Sequence, residues 1–215
     1  MQKKYKLVVL DMDGTLLTDA STITGVTIDF LNYLHKKEII IAFATARVYR
    51  SAWRYAGLFS FNIPLITTNG SLIKDSRGGK VYFQKRIPVS AAKEIIARCR
   101  EMNLYYKVYI DSVLHVAGPS EEAISFADRH QIDLKITGNI GEILEGNPPE
   151  MIVVLEEPAR IDKFIEGNKD LLAEVSYIKS EANSLEIGPA GVSKGRAVKI
   201  LAQRLTKYIF ISALS

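Results

Sequence analysis

The chain has 215 residues, is 47% hydrophobic and 24% charged, and so has the balance of a globular protein able to bury one large or two small cores. Its net charge of +4 comes from scattered basic residues, among them Lys3, Lys4, Lys6, Lys36 and Lys37, which predicts no nucleic-acid partner and suits an anionic small molecule. The single cysteine, Cys99, excludes an internal disulfide or thiolate zinc site.

The apolar run 7–10 is too short for a signal peptide, and 39–46 falls far short of a membrane span. A cytoplasmic protein with no membrane partner is expected. Residues 7–10 read as a strand buried on both faces. A helix at 24–37 follows, with Ile28, Leu31 and Leu34 at helical spacing. Then come a strand at 39–44, a helix at 47–58 and a strand at 64–68. Strands alternating with helices predict a parallel sheet, whose ligands sit beyond the carboxyl ends of its strands.

From residue 71 the pattern changes. Segments 71–73 and 80–83 read as a hairpin joined by Asp75-Ser76-Arg77-Gly78-Gly79. A helix at 89–102, strands at 105–110 and 113–117, and a helix at 120–130 come next. A Gly/Pro/Asn-rich stretch at 138–149 precedes a strand at 151–155, a helix near 159–167, and strands at 175–179 and 184–187. Cys99 falls in the first of these helices and reads as an inert packed thiol. Gly188-Pro189-Ala190-Gly191 reads as a hinge, before a helix at 194–205 and a strand at 208–211. The predicted organisation is an α/β, Rossmann-like parallel-sheet core (1–84 and 188–215) with an inserted α+β domain (85–187).

Asp11-Met12-Asp13-Gly14-Thr15 stands directly after the first buried strand. Two carboxylates there cost desolvation unless a cation or polar site receives them. An ordinary turn is the plain alternative. A calcium loop is excluded, because with Gly14 as its glycine the outer ligands would be Val9 and Ala20. Thr45, after the second strand, either holds an anion with the Ala46 amide at a helix N-terminus or simply caps the helix. Arg47 and Arg50 face either a substrate or the surface. Asn69-Gly70 is a strong turn signal. Lys194 sits in the first turn of the last helix, against the macrodipole, which is easier to understand beside an anion.

Asp11-Met12-Asp13-Gly14-Thr15-Leu16 after an apolar strand resembles the first motif of the haloacid dehalogenase superfamily. The resemblance implies a phosphatase for small phosphate monoesters working through an aspartyl-phosphate. Asp11 would be the nucleophile and Asp13 the general acid and base, with Mg2+ held by Asp11 and Asp13. Met12, Thr45, Ala46 and Lys194 would bind the phosphoryl group, Lys194 as the third-motif lysine. Asn69 and Arg47 are weaker substrate-contact candidates. Some 149 residues separate Thr45 from Lys194 and hold the whole inserted domain, the arrangement of Cof-type, subclass IIB members, whose cap closes over a small phosphorylated metabolite. A monomer or homodimer is expected.

This chain departs from the family pattern in two places. Ala46 replaces a usual glycine, a change that keeps the backbone donor. The fourth motif, Gly-Asp-x-x-Asn-Asp, is not found: Ser212 and Ala213 stand at its first two positions, and no aspartate follows Asp170. The expectation is a truncated chain with weakened magnesium binding and slowed turnover, or at the extreme a remnant that only binds phosphorylated ligands.

Overall fold

The computed structural model describes residues 5–205 and 213–214. In chain order it contains β1 (Leu7–Asp11), α1 (Gly25–Lys36), β2 (Ile40–Ala44), α2 (Tyr49–Ala56), β3 (Pro64–Thr67), β4 (Leu72–Asp75) and β5 (Val81–Gln84). Then follow α3 (Val89–Glu101), β6 (Tyr105–Ile110), β7 (Val113–Val116), α4 (Glu121–His130), β8 (Leu134–Ile136), α5 (Ile140–Ile143) and β9 (Met151–Leu155). The chain ends with α6 (Pro158–Gly167), α7 (Lys169–Ala173), β10 (Val175–Glu181), β11 (Ser184–Pro189), α8 (Lys194–Leu205) and β12 (Ala213–Leu214). These elements form two compact units, Met1–Gln84 with Ser193–Ser215, and Lys85–Val192.

The first unit is an α/β sandwich around a sheet of order β12-β1-β2-β3-β4-β5. β12, β1, β2 and β3 run parallel, and the β4–β5 hairpin continues the sheet antiparallel at one edge. Parallel central strands are covered on both faces, which is why β2 reads Ile-Ile-Ala-Phe-Ala without alternation. On one face Met12, Leu16, Phe43, Ala52 and Phe59 pack under α1 and α2. On the other, Val9, Ala42, Ala44, Ile66 and Ile73 meet Ala197 and Leu201 of α8. Thr24 starts α1 by accepting the Thr27 amide at 3.2 Å.

The second unit is a sheet of order β10-β11-β9-β6-β7-β8, antiparallel except for the β7–β8 pair. Tyr106, Val108 and Ile110 of β6 project to one face with Ile152 and Val154 of β9 and Leu185 and Ile187 of β11. There they bury Ala91, Ile95, Cys99, Ile161 and Phe164 of α3 and α6. Burial pushes the Cys99 thiol up to about 12, so it stays a protonated, inert packing group. Phe164 is fully buried in this core. Phe164→Ala is expected to destabilise the unit by ~3–5 kcal/mol, read as a lowered urea midpoint for the unfolding of this unit.

Short elements escaped the sequence reading, β8 and α7 among them. β8 has three residues and α7 five, too few for either periodicity to register. Within the stretch 138–149, Ile140 and Leu144 bury against the core and fix the one-turn α5. Gly188 and Pro189, read as part of a hinge, are the last residues of β11. The strand expected at 208–211 and Ser212 lie outside the described residues. Among the described residues no helix is long and apolar enough to cross a membrane.

Candidate active site

β1, β2 and β3 end side by side, with Asp11 paired to Ala44 and Ala44 to Ile66 in the sheet register. The first unit thereby gathers the residues that follow each strand at one sheet edge. After β1 the chain turns tightly through Met12–Leu16, with Gly14 at φ +73°. The Met12 side chain is buried in the core, so the backbone is what this residue can present to a ligand.

Lys194 reaches across from α8 and donates to Asp11 Oδ1 at 2.5 Å. Ser193 caps that helix by accepting the Arg196 amide at 3.2 Å. The cost of a cation at a helix N-terminus is thus offset by the Asp11 carboxylate beside it.

Asp13 is held differently. Arg47 donates from Nη2 to Asp13 Oδ1 at 2.6 Å, and from Nε to Oδ1 and Oδ2 at 3.1 and 3.0 Å. Thr45 Oγ1 adds a longer donation, 3.4 Å, to Asp13 Oδ2. Burial pulls the Arg47 pKa down, but the hydrogen bond and charge of Asp13 outweigh it, and the net direction is up.

The Thr45 region differs from its sequence reading. Thr45 does not cap α2, because the helix begins at Tyr49 and its N-cap, Val48, makes no side-chain cap. Instead Thr45 Oγ1 accepts the Arg47 amide at 3.1 Å, a local turn that competes with helix and points Arg47 back toward Asp13. Ala46 is a half-buried member of that turn rather than of a helix start. Arg50 is exposed.

No motif in the sequence singles out Ser51 or Tyr55. Arg47, Ser51 and Tyr55 are spaced four apart, and Arg47 Nη1 lies 3.5 Å from both Ser51 Oγ and Tyr55 Oη. Arg54 also donates to Tyr55 Oη, at 2.5 Å. That spacing was the available signal for a supporting network behind Arg47.

Beyond β3, Thr68, Asn69 and Gly70 take φ values of 47°, 54° and 98°. Left-handed non-glycine residues cost on the order of 1–3 kcal/mol each and persist where the surroundings impose them. Here the Thr68 amide donates to Arg47 O at 2.9 Å and the Asn69 amide to Thr45 O at 3.2 Å. Thr68 and Ser71 also share a hydroxyl–hydroxyl hydrogen bond.

Among the described residues no three His, Cys, Asp or Glu side chains gather into a metal-binding group. Asp11 and Asp13 nevertheless supply the hard oxygen donors that magnesium takes, and magnesium completes its shell with water and substrate oxygens. The donor chemistry therefore fits that ion.

Residues 8–208 match the family described as haloacid dehalogenase-like hydrolase. An HMP-PP phosphatase from Serratia proteamaculans is 26% identical over 209 residues, spanning 94% of this chain and 73% of that protein. A crystal structure from Thermotoga maritima superposes with a TM-score of 0.82 at 28% identity, covering 94% of this chain and 75% of that one. A subclass IIB sugar phosphatase shares the fold with a TM-score of 0.73 at 18% identity, covering 93% of this chain and 75% of that one.

Proposed function

The chain belongs to the haloacid dehalogenase-like hydrolases, in its Cof-type phosphatase branch, and from that membership we propose that it hydrolyses small phosphate monoesters through an aspartyl-phosphate on Asp11. The observation that carries this reading is the pairing of Lys194 with Asp11 at the end of β1, with Asp13 two residues on.

In the first step an Asp11 carboxylate oxygen attacks phosphorus, the bond to the leaving oxygen breaks, and Asp13 gives that oxygen a proton. In the second, Asp13 takes a proton from water, whose oxygen bonds to phosphorus as the bond to Asp11 breaks, releasing orthophosphate. Lys194 balances negative charge on Asp11 and on the phosphoryl group, and Arg47 and Thr45 hold the Asp13 side chain in place. Backbone amides at Met12 and Ala46 are the proposed donors to phosphoryl oxygens. Magnesium, held by the Asp11 carboxylate and the Asp13 main chain, would lower the repulsion between carboxylate and phosphate dianion. The inserted unit is read as the family's cap, the part that selects among small phosphorylated metabolites.

The test is phosphate release from a panel of sugar phosphates and an aryl phosphate, with magnesium and with EDTA. Turnover that EDTA abolishes and magnesium restores is expected. No release from any monoester at millimolar concentration, with the protein folded, overturns the reading.

A further inference from the structure

The start of α8, which carries Lys194, rests against a residue with no side chain. Gly70 lies against the start of α8 so closely that a Cβ there would stand 2.6 Å from Ser193 O and 2.9 Å from Ala197 Cβ. Ordinary Cβ contacts do not come so near, and φ of 98° at this position is itself open only to glycine at low cost. Ser193 O is not free to yield, because it accepts the Ala197 amide at 2.9 Å in the first turn of the helix.

The same three-residue turn is tied on its other side to the loop after β2. The Thr68 and Asn69 amides donate to Arg47 O and Thr45 O, the backbone of the two residues that hold Asp13. One turn thus fixes two separate segments, the Thr45–Arg47 loop through hydrogen bonds and the α8 start through contact. The strained conformations of Thr68 and Asn69 follow, since they aim successive amides at those carbonyls and bring Gly70 to the helix.

We propose that Gly70 is a positioning residue: its missing side chain lets Ser193 seat against the Thr68-Asn69-Gly70 turn and so sets Lys194 within reach of Asp11. The inference rests on the phosphatase reading only for its consequence in rate; the placement of Lys194 is a separate, structural claim. Asn69 then matters through its backbone, whatever its side chain meets.

The experiment is a crystal structure of Gly70→Ala, together with kinetics of Gly70→Ala, Lys194→Ala and the double variant. The expected structure has the first turn of α8 displaced and Lys194 Nζ moved out of hydrogen-bond reach of Asp11 Oδ1, from the present 2.5 Å. The expected fall in kcat/KM for Gly70→Ala is ~10–100-fold, the scale of an ångström-sized misplacement. On the Lys194→Ala background the same substitution should cost about threefold or less, because its effect has already been removed. Should Gly70→Ala fail to fold, Ala197→Ser enlarges the same contact from the helix side and should move Lys194 in the same sense, by less.

A variant structure with the Lys194–Asp11 pair intact overturns the proposal, and so does full additivity with Lys194→Ala. Absence of phosphatase activity in the unaltered protein overturns the functional reading instead, and leaves the structural arm to decide on Gly70.

Discussion

Asp11→Asn is expected to lower turnover of any accepted phosphate ester by more than ~1000-fold, the scale seen when a covalent nucleophile is removed. The amide is nearly isosteric but cannot supply the anionic oxygen that bonds to phosphorus. The side chain of Asp11 is partly exposed at the sheet edge, and the fold around it is set by Met12 and Leu16, so stability should change little. Beryllium fluoride with magnesium, which imitates an acyl phosphate, should form an adduct on Asp11 of the unaltered protein. Mass spectrometry or crystallography reads the result, and an adduct that survives Asp11→Asn would rule out this residue as nucleophile.

Lys194→Ala is expected to cost ~100–1000-fold in kcat/KM, as removal of one positioned donor to a developing anionic centre does. Its stability effect should have a very different size. The Lys194 and Asp11 side chains are 38% and 30% exposed, and pairs of that kind contribute ~0–1 kcal/mol. A lysine in the first turn also opposes the helix dipole, so part of what the pair gains is already offset. The measurement is activity beside thermal unfolding of the same preparation. A melting temperature that falls steeply while residual activity stays near normal would make Lys194 a structural residue.

Much of the fold was legible because buried parallel strands leave an unambiguous trace. Residues 7–10 and 39–44 are continuous apolar runs, and each became a strand within a residue or so. Asp11 and Asp13 were legible as a pair because nothing but a site or a turn explains two carboxylates there. The failures have a common cause. A threonine at a strand end can cap a helix or close a local turn with the same hydroxyl, and sequence does not say which amide it will accept. The outcome moved the start of α2 from residue 47 to Tyr49 and sent Arg47 to Asp13. Gly70 looked like a turn former, which it is, but its approach to Ser193 depends on a helix more than a hundred positions later. No local pattern carries that information.

The first unit is also discontinuous, and this bears on how the chain is made. Val9, Ala42, Ala44, Ile66 and Ile73 are buried with Ala197 and Leu201 of α8 on one face of the sheet. Roughly a hundred residues, Lys85–Val192, are synthesised between β5 and that helix. At ~5–20 residues per second a ribosome takes on the order of 5–20 s to do so. Through that interval the nascent sheet lacks its α8 lid, while the inserted segment gains its last core residues, Leu185 and Ile187, just before α8 is made. The insertion should therefore be the first part of the nascent chain to resist protease, and the N-terminal strands are where a chaperone would bind during synthesis.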